Sequence, residues 1–550
     1  MKPLNDLTLE QKVGQLLMCG FHGQHADEQI THLIRDYHVG GVIYFRRNVE
    51  SVDQLTRLSA ELQDLAAETG AWPLMISVDQ EGGMVARIDK EGMTQVPGNM
   101  ALGATGNPEY TLACARILGR ELKSIGIDMN LAPVLDVNNN PLNPVIGVRS
   151  YGEHAESVAA HGVAAITGYQ SQGIAATAKH FPGHGDTAID SHLGMVTVPH
   201  DRNRLEQMEL LPFRKAIEAG VDAIMTAHVM FPSIEPEPIP ATLSHKVLTG
   251  LLREEMGFKG IIITDCLEMH AISKPYGVAE AAIRAVEAGA DLILVSHTLQ
   301  DQVAALKAIV DAVQTGRISE EVIHQAVERI MTWKKKRCGQ QNDHLVLPKM
   351  NDTIEAADVE PIHYTESTKP SDSSKRNESM LFKIASSSIT IVHNDGLLPL
   401  APEKGVYVIW PEVVQRTEVD EPWSHTESLG MALSQLRGKV REHNITTQPT
   451  QDEADRILAD VDVSDSEQVI VCTYTSAGHL PKGQQYLVEK LSENHSLIVI
   501  ALRNPYDLLE ISRPGSYVCT YENTPAVVRA LSHVLTGGLQ PTGSLPIRLF

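Results

Sequence analysis

The 550-residue chain is short of the features that mark several simple classes. Its six cysteines, Cys19, Cys114, Cys266, Cys338, Cys472 and Cys519, show no CxxC or CxxH spacing. That argues against a disulfide framework or a zinc-finger type of site and fits reduced thiols. No stretch reaches the ~20 continuous apolar residues of a membrane span, and Met1–Thr8 lacks the charged start and apolar run of a signal peptide. A cytoplasmic protein is the expectation. Positive charge is in deficit: the net charge is −23, which argues against nucleic acid or an anionic membrane as the main partner. Repeats and low-complexity tracts are missing, and no Gly-rich phosphate loop precedes a helix in the second half, so nucleotide binding has little support.

What is present is a long alternation of short apolar runs and amphipathic stretches. Strand candidates are Gly40–Phe45, Leu74–Asp79, Met129–Leu135, Ile174–Lys179, Ala223–His228, Gly260–Asp265 and Asp291–Ser296. Helical patterns such as Pro108–Leu122, Arg204–Ala219 and Val278–Ala288 lie between them. Repeated βα units imply a parallel sheet covered on both faces. Seven countable strands suggest a (β/α)8 TIM-like barrel, with a doubly wound sheet as the alternative. Six of the strands end in polar residues, Arg46, Asp79, Asp136, Lys179, His228 and Asp265, which a barrel would gather on one face. The expected division is a barrel domain over 1–340, a polar linker or surface wrap over 341–379, and an α/β sandwich over 380–550. Strands of that second domain are expected at Ser388–Val392, Val406–Trp410, Gln468–Tyr474, Leu497–Leu502 and Tyr517–Tyr521.

The densest chemistry lies in Lys179–His192, which holds a lysine, three histidines and two aspartates in fourteen residues. An apolar run, Gly173–Ala178, leads into it, and Pro182, Gly183 and Gly185 then halt regular structure. The strand is expected to end at Lys179. Asp190 stands two residues before His192, a spacing that can orient an imidazole and stabilise its charged form for acid/base work. The same loop offers His180, His184, Asp190 and His192 as metal ligands, although the spacing matches no familiar metal motif. Histidines satisfied by backbone in a purely structural loop are the third possibility. Asp265 ends the apolar run Gly260–Thr264 and reads equally as a nucleophile or as a helix cap. Asp79, in the segment Ser77–Arg87, suits vicinal hydroxyls or the first turn of a helix. Arg149 is the cation of the long Asn/Pro-rich loop Asn130–Gly152, fit for a ligand or for a surface ion pair.

Taken together, these segments resemble glycoside hydrolase family 3, in its bacterial β-N-acetylglucosaminidase branch. The resemblance is carried by Val78–Gly83, Asn130–Asn140 with Val145–Gly152, Lys179–His192, Met225–His228, and Pro240–Ser244 with Thr264–Met269. Weaker matches continue at Ser388–Thr390, Leu397–Leu400 and Arg503–Asp507. The resemblance implies a barrel followed by an α/β sandwich. It implies Asp265 as the nucleophile of a retaining reaction, and His192 as acid/base supported by Asp190. Asp79, Arg149, Lys179 and His180 would bind hydroxyls of a terminal N-acetylglucosamine, and His228 would line the pocket. It implies no cofactor and no resident metal. One departure stands out: Met84 follows the glycine pair where the family usually carries Arg.

The expected activity is that of a retaining exo-β-N-acetylglucosaminidase acting on carbohydrate, including peptidoglycan fragments in which N-acetylglucosamine is linked to a muramic acid. Its rivals are a phosphorylase on the same scaffold, a metal-dependent hydrolase using the histidine cluster, and a noncatalytic sugar-binding protein. Oligomeric state is not legible in the sequence.

Overall fold

A computed structural model of the chain describes residues 3–70, 72–187, 194–337, 372–413, 427–460, 467–512 and 514–549. Eight parallel strands form the first sheet: β1 (Leu17–Cys19), β2 (Gly41–Tyr44), β3 (Met75–Val78), β4 (Met129–Asn130), β5 (Ala175–Phe181), β6 (Ala223–Thr226), β7 (Ile261–Ile263) and β8 (Ile293–Val295). Their spatial order is β7-β6-β5-β4-β3-β2-β1-β8. A bridge between Ile263 and Leu292 brings the two ends together, so the sheet is a (β/α)8 barrel. That last seam carries few ladder bonds, and a side chain supplements them. The buried Asp291 carboxylate accepts the Ile262 N–H at 2.8 Å and pairs with Arg253 and with Arg329, the latter at 2.7 Å.

The helices follow from local chemistry. Helix Val52–Glu68 starts at Ser51, whose hydroxyl accepts the Gln54 N–H, and buries Leu55, Leu58, Leu62 and Leu65 on one stripe. Each such leucine contributes roughly 1.5–3 kcal/mol. The expected helix Arg204–Ala219 is two helices, Arg202–Gln207 and Leu211–Glu218. Pro212 sits in the first turn of the second, the position where a missing N–H costs least.

A second sheet has six strands: β9 (Thr390–Asn394), β10 (Gly405–Glu412), β11 (Val440–Thr446), β12 (Glu467–Thr473), β13 (Leu497–Ala501) and β14 (Ser516–Cys519). Its order is β9-β14-β13-β12-β10-β11, with only β9 antiparallel to its neighbour. Along β10, Tyr407 and Ile409 enter one apolar cluster while Val406, Val408 and Trp410 enter another. Helices therefore cover both faces, giving a barrel followed by an α/β sandwich.

Within these two sheets, two strands lack the expected sequence signal, β1 and β11. A third difference is helix Asp372–Ser388, which starts inside the stretch expected as linker and buries Leu381, Ile384 and Ala385 at helical spacing. Residues 341–371 of that linker lie outside the described residues. Among the described residues, no helix is long and apolar enough to cross a membrane.

His161, on helix Ala155–Ser171, is buried, bonded through Nδ1 to Thr111 Oγ1 at 2.7 Å and stacked on Tyr151. Burial pushes its pKa down to about 4. The unfolded chain therefore takes up this proton near pH ~6.5, while the folded chain resists it until about pH 4. Stability from this group is full above the upper value and is lost as the pH falls through the window. His161→Gln should narrow the drop in thermal midpoint between about pH 7 and about pH 4.5. An equal drop in wild type and variant would show that His161 does not contribute.

Candidate active site

The C-terminal ends of the barrel strands surround a cavity of about 390 Å³, a size suited to a small ligand. Asp79, Arg149, Lys179, His180 and Asp265 line it, together with Glu81, Arg87, His184, Glu268 and His297. The apolar part of the wall includes Ile43, Leu131, Val145, Met225 and Leu294.

Asp79 follows β3 directly. Beyond it the chain forms a short antiparallel ribbon, Gln80–Gly82 with Val85–Ala86, turning on Gly82 and Gly83, which have φ of 99° and 54°. Gln80 pins this ribbon: its N–H donates to Asn130 Oδ1 and its side-chain amide exchanges two bonds with the Ile88 backbone, all at 3.0 Å. The ribbon thereby carries Glu81 into the barrel mouth. Lys179, within β5, donates to Asp79 Oδ1 at 2.7 Å and lies 2.8 Å from Glu81 Oε1. Arg149 grips both Glu81 oxygens, Nε to Oε2 at 3.0 Å and Nη2 to Oε1 at 2.7 Å. Two cations and two carboxylates thus form one network, with Lys179 only 2% exposed. Burial opposes ionisation of Glu81, but Arg149 and Lys179 outweigh it and hold its carboxyl well below the usual range. Burial likewise works against the Lys179 charge, and Asp79 and Glu81 more than restore it. Arg149 is therefore a buried cation and not a surface pair.

The expected end of the strand at Lys179 needs correction: β5 runs to Phe181, with a register break between Ala178 and Phe181. The Lys179–His180 and Phe181–Pro182 peptides are cis. Asp136 organises the turn at this strand end. Its buried carboxylate accepts the His180 N–H at 3.2 Å and the His184 N–H at 2.7 Å, and lies 2.7 Å from His180 Nδ1. Burial opposes its ionisation, but the two histidines beside it and their N–H groups keep its pKa lowered. Burial pushes the pKa of His184 down to about 4, so this imidazole is neutral near pH 7. Asn143 then ties two loops together. Its oxygen accepts the Val145 and Ile146 N–H groups, and its NH2 donates to the carbonyls of His184 and Gly185. Ala188–Leu193 lie outside the described residues, and with them Asp190 and His192.

Asp265 lies two residues past β7 and is half-buried. Thr264 anchors it: the Thr264 N–H donates to the Leu292 carbonyl at 2.9 Å, and the Leu294 N–H donates to Thr264 Oγ1 at 3.0 Å. The Cys266 N–H donates to Asp265 Oδ1 at 2.7 Å. His228 does not line the cavity. It is 1% exposed, with Nδ1 on Thr242 Oγ1 at 2.8 Å and Nε2 on the Cys266 carbonyl at 2.9 Å, so it braces the Asp265 turn from behind. Glu268 fixes the other flank by accepting the N–H groups of Ser296, His297 and Thr298 at 2.7–2.8 Å.

Among the described residues, Cys266, Glu268 and His297 offer donor atoms within 4.8 Å of one another. Glu268 is already committed to three backbone donors, and burial, then Glu268, pushes the Cys266 thiol up to about 12. This trio reads as a brace for the turn that carries Asp265. Sequence reasoning placed Asp79, Arg149, Lys179, His180 and Asp265 together, and the structure brings all five to one cavity. It left out Glu81 and gave Asp136 no role. The signal for Glu81 was indirect: two buried cations require a carboxylate partner.

The profile described as Glycosyl hydrolase family 3 N terminal domain matches residues 8–333. The chain is 48% identical to a glycoside hydrolase family 3 β-N-acetylglucosaminidase from Paenibacillus sp. str. FPU-7, whose structure superimposes with a TM-score of 0.89 over 99% of each chain. It is 34% identical over 444 residues to "Beta-hexosaminidase A" of Pseudoalteromonas piscicida, covering 74% of this chain and 71% of that one. It is 27% identical over 575 residues to "Beta-N-acetylglucosaminidase/beta-glucosidase" of Cellulomonas fimi, covering 100% and 95%.

Removing one partner of a buried ion pair leaves the other uncompensated. Glu81→Ala should therefore lower the unfolding free energy by about 3–5 kcal/mol, read from urea denaturation. A loss below about 1 kcal/mol, the size of an exposed pair, would show that the network carries no such burial cost.

Proposed function

The chain belongs to glycoside hydrolase family 3 and is a glycoside hydrolase, and on that footing we propose that it is a retaining exo-β-N-acetylglucosaminidase. The observation that carries this reading is the cavity itself, where the strand-end carboxylate Asp265 shares one wall system with the Asp79–Lys179–Glu81–Arg149 network. A carboxylate acceptor and two fixed cationic donors suit the vicinal hydroxyls of a terminal sugar. The names of the relatives point the substrate toward N-acetylglucosaminides. Peptidoglycan fragments that begin with N-acetylglucosamine on a muramic acid are the natural class we assign.

In this reading Asp265 attacks the anomeric carbon. The C1–O bond to the leaving group breaks, a C1–O ester bond to Asp265 forms, and the leaving oxygen takes its proton from His192. Asp190 supports the protonated imidazole. Water then attacks C1, His192 takes its proton, and the ester releases Asp265. A His–Asp pair thus replaces the second carboxyl of the usual two-carboxyl scheme. The long lever of binding energy lies in the fixed hydroxyl contacts, which hold C1 in line with Asp265.

The direct experiment is product analysis on an aryl β-N-acetylglucosaminide, with and without phosphate and with excess chelator. Free N-acetylglucosamine in every arm is expected. Dominant N-acetylglucosamine 1-phosphate would replace the hydrolase by a phosphorylase, and chelator-sensitive turnover would favour the metal reading.

The residue roles have their own test. Asp265→Asn should remove nearly all turnover with folding unchanged, and an activated fluoro-sugar should label Asp265. His192→Ala and Asp190→Ala should slow substrates with poor leaving groups by roughly 10²–10⁴-fold and spare good ones. A label on Glu268 or Glu81, or equal losses for all leaving groups, would overturn the assignments.

A further inference from the structure

Among the described residues, every side chain lining the 390 Å³ cavity comes from the barrel. Behind Glu81 and Arg149, however, lies a much smaller void whose far wall is Tyr521 and Glu522 of the sandwich domain. Glu522 follows β14 and is 1% exposed. Its Oε2 accepts the Gly98 N–H at 2.6 Å, and its Oε1 accepts the Thr524 hydroxyl at 2.9 Å.

Two segments of the barrel domain meet at this carboxyl, and both lead to Arg149. The first is Gly98–Asn99: the Asn99 side-chain NH2 donates to the Arg149 carbonyl at 2.7 Å. The second is the Gly82–Gly83 turn. A β-carbon on Gly83 would stand 2.8 Å from Glu522 Oε2 and 2.5 Å from Gly98 Cα, so only glycine lets this turn seat against the carboxyl. Two residues earlier on the same ribbon, Glu81 holds the Arg149 guanidinium. Arg149 is thus gripped at its backbone and at its side chain by two segments that converge on one residue of the other domain.

From this convergence we propose that Glu522 is a positioning residue for Arg149, so that docking of the second domain completes the sugar clamp. The proposal rests on the reading that the cavity takes a terminal N-acetylglucosamine. A bond that only glued the domains would end at Gly98; here the next residue reaches the clamp. Burial pushes the Glu522 carboxyl up to about 7, with the Gly98 N–H and the Thr524 hydroxyl pulling the other way. A neutral amide of the same shape can therefore stand in for it.

The test uses the full chain and an aryl β-N-acetylglucosaminide. Glu522→Ala should raise KM about tenfold with kcat within about threefold, the pattern of lost uniform binding. Glu522→Gln, which keeps the acceptor for Gly98, should stay within about threefold of wild type. Asn99→Ala should reproduce the rise in KM, and the double variant should be little worse than either single one. A wild-type KM in Glu522→Ala or in Asn99→Ala overturns the proposal, as does a Glu522→Gln variant as impaired as Glu522→Ala. If Glu522→Ala does not fold, Asn99→Ala and Glu522→Gln decide. Failure of the wild type to turn over the substrate would remove the functional reading and with it the sugar clamp, leaving the positioning of Arg149 to be decided by amide exchange. Amide exchange at Arg149, whose N–H bonds the Ile146 carbonyl at 2.8 Å, reads the strut without turnover. It should quicken about tenfold in Asn99→Ala, and unchanged protection there overturns the proposal as well.

Discussion

The pairing of Lys179 and Arg149 with Asp79 and Glu81 is the interaction on which the site depends. Holding either cation in so buried a wall would be costly without the carboxylates, because desolvation costs several kcal/mol per ion. The pairing also ties together residues carried on separate elements. Asp79 follows β3, Lys179 sits in β5, Glu81 rides on the ribbon after β3, and Arg149 ends the long loop after β4. These three strands are neighbours in the barrel, so one charge network locks three adjacent rims. With two charges of each sign it leaves no net charge buried, yet it presents donors and acceptors at fixed points to whatever enters.

The same requirement explains how much of the site was legible. Asp79, Lys179 and Asp265 stand out because each breaks an apolar run at its C-terminal end, where barrel strands deliver polar groups. His228 has the same local signature, and its ring nitrogens meet Thr242 Oγ1 and the Cys266 carbonyl, partners that nothing local to the sequence announces. Glu81 and Arg149 are 68 residues apart, and nothing local to either predicts the other. In the fold, β1 was missed because its three residues follow helix Leu9–Gln15 after a single residue, with no Gly or Pro between them. Strand β11 was missed because Val440–Thr446 lies at the sheet edge, where charged residues such as Arg441 and Glu442 replace the apolar alternation of an inner strand. The period that identifies strands is a record of burial: β1 is buried throughout but too short to show a period, and β11 is partly or fully exposed along most of its length.

Met84 obeys the same constraint on buried charge. It stands where a charged residue was expected, and it is buried in the apolar cluster of the sandwich domain together with Leu400 and Val408. The ribbon therefore faces two ways: Glu81 points to the cavity network, and Met84 plugs into the neighbouring domain. A charge at Met84 would have to be paired within that apolar cluster.

The sandwich domain thus acts on the backs of the loops. Tyr506 lies against the Asn138 side chain at 3.3 Å, Pro546 accepts the Glu153 N–H at 3.0 Å, and Ala104 accepts the Ser544 N–H at 2.9 Å. The loop from Leu131 to Gly152 has almost no regular structure, and ordering that many residues costs roughly 1–2 kcal/mol each in backbone entropy. Asn143 and Ser150 supply internal ties, and the contacts with the sandwich domain add external ones. Close approach is also demanded inside the barrel: a β-carbon on Gly185 would lie 1.8 Å from the Val137 carbonyl oxygen. That contact and the Asn143 bonds to His184, Gly185 and Thr187 secure the start of the segment that goes on to Asp190 and His192. The charge network and the Asp265 turn are thereby held by the protein's own packing and charge. In this chain the second domain braces these long, irregular rims from behind.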